Sequence, residues 1–232
     1  MFLRKKNANL PDYSQRELIT LVNPKSPISE QYRTIRTNLE FTSIGQKLQM
    51  ITVTSASNGE GKSTTAANLA VVYAQLGKRV LLIDCDLRKP TAHFTFKTSA
   101  HAGLSTILVG RIPLDRAIQK TDVARLSILA AGPVPPNPTE LVASERMTEL
   151  LEDVRRDYDI VILDAPPMMQ VADARLLANV SDGTILVIGC ENSDRQLVLK
   201  AKEQLERTGT HMLGLVLNKR PSSGRRTYYA YE

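Results

Sequence analysis

"MITVTSASNGEGKSTTAANLAVVYAQLG" (50–77) runs from a strand pattern through a glycine-bearing turn into a helix pattern. Residues 50–56, "MITVTSA", are apolar and β-branched, as a buried strand requires. In "KSTTAANLAVVYAQLG" (62–77), Ala66, Leu69, Val72, Tyr73 and Leu76 recur at helical spacing, and Gly77 ends the run. Between them lies "SASNGEGKSTT" (55–65). Gly59 and Gly61 let backbone N–H groups approach an anion, and the helix N-terminus adds partial positive charge. This is a phosphate-binding loop in its proper strand–loop–helix context. Lys62 is expected to reach the β- and γ-phosphates of ATP and Ser63 to ligate Mg²⁺, with Asn58, Gly59, Glu60, Gly61 and Thr64 completing the cradle. The usual first glycine is Ala56, so the turn must close around a Cβ.

Two further acidic segments point to the same centre. "VLLIDCDLRKP" (80–90) ends a second strand with Asp84 and Asp86, two apart and therefore on one side of an extended chain. "DIVILDAPP" (159–167) puts Asp164 after four apolar residues at the end of another strand, the usual place for a Mg²⁺ carboxylate. Lys62, Asp84, Asp86 and Asp164 are the candidate catalytic set, and Ser63, Asp86 and Asp164 the candidate metal ligands.

Outward from these motifs the pattern alternates. "LSILAAG" (126–132), "GTILVIGC" (183–190) and "MLGLVLNK" (212–219) read as strands. "NPTELVASERMTELLEDVRRDY" (137–158) reads as one helix capped by Thr139, with further helices over 173–180 and 194–209. Residues 89–120 are the least regular, with short helices at "GLSTIL" and "PLDRAI". Strands apolar on both faces, alternating with helices, predict a three-layer α/β P-loop fold with a mostly parallel sheet. "SEQYRTIRTNLEFT" (29–42) adds an N-terminal helical extension capped by Ser29. The expected organisation is a basic segment over 1–25, a nucleotide-binding domain over 26–220 and a flexible tail over 221–232. Asn218, after the last strand, is a candidate adenine contact.

The net charge of +6 is concentrated at the two ends. Arg4, Lys5 and Lys6 contribute +3, and Lys219, Arg220, Arg225, Arg226 and Glu232 together +3, leaving residues 8–218 neutral. A nucleic-acid-binding face would place a basic stripe on the folded surface, so no direct nucleic-acid contact is expected. Two basic tails suit an acidic partner or a membrane surface. No apolar run approaches the roughly 20 residues of a membrane span, and "MFLRKKNANLPD" lacks the apolar stretch of a signal peptide. Cys85 and Cys190, both in apolar runs, are expected as buried thiols in a reducing cytosol.

The loop, the Asp84/Asp86 doublet in "LLIDCDLRKP", "EQYRTIR", "GPVPPNPTELVAS" (132–144) and the terminal "YYAYE" together resemble the bacterial tyrosine kinases of capsule and exopolysaccharide systems. The likeness spans 26–232 and is greatest to the Gram-positive form, a separate cytoplasmic chain. That family lies among deviant P-loop ATPases with MinD and ParA, but here Ser57 stands where MinD and ParA carry a lysine that reaches across a dimer. The resemblance implies a protein-tyrosine kinase using ATP and Mg²⁺, with Asp84 or Asp86 accepting the phenolic proton and Asp84 the favoured base. It implies self-association into a ring through Glu30, Arg33 and Arg36, and autophosphorylation of Tyr228, Tyr229 and Tyr231. It also implies recruitment to the membrane by an adaptor protein, a cognate tyrosine phosphatase, and protein substrates such as sugar-nucleotide or polysaccharide enzymes. The alternatives are a MinD/ParA-like ATPase that clocks dimerisation on a membrane or DNA, and a non-catalytic subunit of polysaccharide export.

Overall fold

A computed structural model describes residues 18–42, 47–191 and 193–220. The basic residues Arg4, Lys5 and Lys6 and the tail tyrosines Tyr228, Tyr229 and Tyr231 lie outside the described residues.

Seven strands form one sheet in the order β3-β4-β2-β5-β1-β6-β7. They are β1 (Met50–Ser55), β2 (Val80–Asp84), β3 (Gln119–Lys120), β4 (Leu126–Leu129), β5 (Ile160–Asp164), β6 (Gly183–Gly189) and β7 (Met212–Asn218). All neighbours run parallel except β3, a two-residue edge strand antiparallel to β4. The six predicted strands are present; β3 comes from the irregular stretch 89–120 and is too short to leave a pattern. The central strands β1, β2 and β5 are buried at every position, which explains their continuous apolar runs.

The helices are α1 (Ile19–Val22), α2 (Pro27–Thr42), α3 (Lys62–Gln75), α4 (Ala92–Phe96), α5 (Leu104–Leu108), α6 (Leu114–Ala117), α7 (Pro138–Val142), α8 (Glu145–Asp157), α9 (Asp173–Val180) and α10 (Arg195–Arg207). One core layer joins Leu81, Ile83, Leu163 and Leu186 of the sheet to Leu150, Leu177 and Leu205 of α8, α9 and α10. The other joins Ile51, Val53, Leu82 and Ile162 to Leu69, Val72 and Tyr73 of α3, and to Tyr32 and Leu39 of α2. Helix α3 is buried between the sheet and α2, so it is apolar on most sides rather than along one stripe.

Three expectations about the helices are corrected. The helix over 137–158 is two helices, α7 and α8, because the Ser144 side chain interrupts the run and caps the second, its Oγ accepting from Met147 N–H at 3.3 Å. Thr139 does not cap; its hydroxyl donates to Asp173 at 2.6 Å. Helix α2 begins at Pro27, and Ser26, not Ser29, offers the capping oxygen, to Ser29 N–H at 3.1 Å. The body also takes in residues before 26. Leu18 is buried, and the Thr20 hydroxyl and N–H both donate to Asn68 of α3, at 2.8 and 3.1 Å.

Cys85 is buried, as expected, but Cys190 is exposed, because β6 ends at Gly189 and the chain leaves the core there. Among the described residues no helix is long and apolar enough to cross a membrane.

Candidate active site

Parallel strands bring their carboxyl ends to one rim, where ligands of open α/β sheets bind. The loop after β1, Asp84 at the end of β2 and Asp164 at the end of β5 all lie there. Asp84 and Asp164 are register partners on adjacent strands. Gly59 (φ +80°) and Gly61 (φ +96°) adopt the left-handed backbone that bends the loop into α3. A Cβ at Gly61 would sit 1.9 Å from Asn218 Nδ2, so no other residue fits without displacing that side chain.

Lys62 opens α3 and points into the carboxylates. Its ammonium lies 2.9 Å from Asp86 Oδ2, 3.7 Å from Asp164 Oδ1 and 3.3 Å from Ser63 Oγ. Burial works against the charged ammonium, but Asp164 and Asp86, then Asp84, more than offset it and hold its pKa above the ordinary lysine value. Asp86 is also fixed from the other side, accepting from Lys89 N–H at 3.0 Å.

Asp84 has a different environment. It has no exposed surface. Oδ1 accepts from Asp86 N–H at 3.2 Å, and Oδ2 accepts from Thr91 and Ala92 N–H, both at 2.9 Å. Burial, reinforced by the neighbouring Asp164, pushes its carboxyl up to about 7.

Glu60 is buried within the loop, which is unusual for a carboxylate. It accepts from Ser57 N–H at 2.8 Å and from the Ser193 hydroxyl after β6, while its backbone carbonyl accepts from Asn218 Nδ2 at 3.0 Å. Asn58 donates to Gln170 at 3.0 Å. The loop is thus braced by the segments after β5 and β6 and by the end of β7. Ser193 and Gln170 were missed from the sequence, since each partners a loop residue more than a hundred positions away with no motif of its own. So was the Arg88–Asp173–Thr139 network, in which fully buried Asp173 receives Arg88 Nε at 3.2 Å and the Thr139 hydroxyl. It ties the turn after β2 to α7 and α9.

The charged motif of α2 is divided. Glu30 and Arg33 form an ion pair on the surface, whereas Arg36 turns inward and donates to Val72 O of α3 at 3.1 Å.

Residues 48–208 match the family model described as the AAA domain. The chain is 46% identical over 231 residues to tyrosine-protein kinase YwqD of Bacillus subtilis, covering 100% of this chain and 96% of that one. It is 41% identical over 191 residues to tyrosine-protein kinase CpsD of Streptococcus agalactiae, 82% of each chain. Among solved structures, the chimerical protein CapA2B2 superposes with a TM-score of 0.86 at 42% identity, over 88% of this chain and 90% of that one. The kinase domain of Escherichia coli tyrosine kinase ETK gives 0.86 at 32%, over 99% and 87%. MinD of Pyrococcus horikoshii, complexed with Mg-ADP, gives 0.65 at 26%, over 76% and 72%. The likeness to P-loop ATPases of the MinD kind implies that the chain binds ATP. With a likeness to named tyrosine-protein kinases that runs nearly end to end, the chain belongs to the bacterial tyrosine-protein kinases of the P-loop type.

Proposed function

We propose that the chain transfers the γ-phosphoryl group of ATP first to the tail tyrosines Tyr228, Tyr229 and Tyr231 of another copy of itself, and then to protein partners that control capsule or exopolysaccharide production. The observation that carries this reading is Lys62, held at the loop mouth by Asp86 and Asp164. Phosphoryl transfer needs positioning and charge neutralisation more than covalent help. A triphosphate lying along the loop meets the backbone N–H groups and the Lys62 ammonium.

The residues fit Mg²⁺. Two buried carboxylates, Asp86 and Asp164, reach one ammonium and Asp84 lies behind them, so the pocket carries an excess of negative charge that a divalent cation matches. Among the described residues no three metal-ligating side chains form a cage, which suits an ion shared between one or two carboxylates and the phosphates. Ser63 and Asp164 are the ligands we assign, with Asp86 kept for the proton. When bound, Mg²⁺ neutralises charge on the β- and γ-phosphates.

The phenol oxygen forms the new bond to the γ-phosphorus, the bond to the β–γ bridging oxygen breaks, and ADP leaves. The phenolic proton goes to one of the doublet carboxylates. Asp84 is wholly buried, with both oxygens committed to backbone N–H groups, whereas Asp86, also buried, has one oxygen against the Lys62 ammonium at the mouth of the loop. We therefore assign the proton to Asp86 and the shaping of the turn after β2 to Asp84, rather than the reverse expected from the sequence. Self-association through Glu30, Arg33 and Arg36, removal of the phosphates by a tyrosine phosphatase, and recruitment to the membrane by an adaptor complete the proposal. The likeness to the chimerical protein CapA2B2 supports the adaptor.

Incubation with Mg²⁺ and ATP, followed by mass spectrometry, tests it. Phosphate should appear on Tyr228, Tyr229 or Tyr231 and vanish in Lys62→Met. ATP hydrolysis without phosphotyrosine would instead favour the MinD/ParA-like reading.

A further inference from the structure

The amino ends of β1, β2 and β5 surround a cavity of about 480 Å³, at the opposite end of the sheet from the ATP-binding loop. Its volume lies in the range of small-molecule sites, roughly 300–1,000 Å³. Five cations line it: Lys47 before β1, Lys78 and Arg79 before β2, and Arg155 and Arg156 at the end of α8. Glu40 and Asp159 are the carboxylates in the wall. Arg79 pairs with Asp159, Arg155 with Asp182 and Arg156 with Asp153. Among the described residues neither Lys47 nor Lys78 has a carboxylate within ion-pair distance, and both are exposed. Within the wall five cations face two carboxylates; Asp153, Asp157 and Asp182 stand outside it, and none of them pairs with Lys47 or Lys78.

Tyr73 supplies a second, independent observation. It lines the cavity and is 1% exposed, yet its hydroxyl has no hydrogen-bond partner in the protein. A buried tyrosine hydroxyl usually finds a partner, and one left without is destabilising. Tyr73 therefore sets an unused O–H donor in the same wall as Lys47 and Lys78, neither of which is in an ion pair among the described residues. Donors and positive charge with few acceptors in the wall call for an anion, and the volume of the cavity calls for a small one.

We propose that this cavity binds a small molecule bearing at least two linked phosphates, held by Lys47 and Lys78 with the Tyr73 hydroxyl donating to a phosphate oxygen. The site is separate from the ATP-binding loop. Charge-assisted hydrogen bonds of this kind are the strong ones, so removing both lysines should weaken binding about tenfold or more.

Calorimetric titration with tripolyphosphate, without Mg²⁺ and at low ionic strength, is the test. Two sites are expected in the wild-type chain. Lys62→Met should weaken one and leave the other. Lys47→Ala/Lys78→Ala should weaken the other about tenfold or more and leave the first, which also reports that the variant is folded. Tyr73→Phe should weaken the second site several-fold. Titrating ADP into Lys62→Met then separates a nucleotide from a bare phosphate chain by which binds the tighter. A single site that Lys62→Met removes, or a second site of unchanged affinity in Lys47→Ala/Lys78→Ala, would overturn the proposal.

Discussion

Lys62 brings one positive charge into a space shared with three carboxylates, and each makes a different use of it. Asp86 touches it, Asp164 lies just beyond contact, and Asp84 faces the backbone instead. Lys62→Met should cut tyrosine phosphorylation by about 10²–10³-fold, the scale for losing one preorganised charge-stabilising group. A phosphorylation time course at saturating ATP measures it. The doublet should separate in the same assay. Asp86→Asn is expected to lower kcat by about 10²-fold or more, as for a lost proton acceptor, with little change in melting temperature. Asp84→Asn is expected to act first on stability, since Asn retains one oxygen for three N–H donors. Equal kcat losses at equal stability would reject the assignment of the proton to Asp86. Glu60 belongs at this scale too. Ser193→Ala removes the hydroxyl that the Glu60 carboxylate accepts from and should raise KM for ATP several-fold while leaving kcat near wild type. Lys62, Asp86 and Asp164 were legible in the sequence because each sits in a short motif at a strand end. Ser193 was not, because its role exists only once β6 places it against the loop.

The strands carry the loop, and Asp182 fastens the start of β1, which leads into it. Its carboxylate accepts from Gln49 and Met50 N–H at 2.8 and 2.6 Å and takes both Arg155 Nη groups, at 3.0 and 2.9 Å. Burial alone would raise its pKa, but Arg155 and the two N–H groups outweigh burial and hold it below the ordinary carboxylate value. Asp182→Ala leaves these donors without their acceptor and should cost about 2 kcal/mol, a fall of about 4–8 °C in melting temperature for a chain of this size. A group whose folded pKa is depressed stabilises the fold above its unfolded pKa, near 3.9, and loses that effect as pH falls through the folded value. The stability gap between wild type and Asp182→Ala should therefore be full at neutral pH and shrink below about pH 4. Urea titrations at a series of pH values check it; a gap that does not change with pH would show that the carboxylate charge is not what matters. Strands and long helices were readable because burial repeats along them. The α7–α8 break was not, because Ser144 and Thr139 differ little as sequence signals, and only packing decides that Thr139 turns to Asp173. The inward turn of Arg36 was invisible for the same reason: equal spacing on α2 does not say which arginine meets α3.

At the scale of the whole molecule, direction decides what the tail reaches. Strand β7 runs parallel to β6, so it ends at the rim that bears Lys62, and its last residue, Asn218, already contacts the ATP-binding loop. The chain thus leaves the described body at Arg220, beside the site, and residues 221–232 span at most about 40 Å when extended. That is enough to reach across a subunit. Transfer between copies makes a prediction that transfer within one chain does not. Lys62→Met keeps every tyrosine but no working site; the triple variant Tyr228→Phe, Tyr229→Phe, Tyr231→Phe keeps the site but none of the tail acceptors. Neither alone should label its tail. Mixed with Mg²⁺ and ATP, they should yield phosphotyrosine on the Lys62→Met chain, at a rate that rises with the concentration of its partner. Mass spectrometry distinguishes the two chains by their substitutions. A mixture that stays unlabelled while wild type phosphorylates itself would confine transfer to a single chain, and the reach of the tail would then serve its own site.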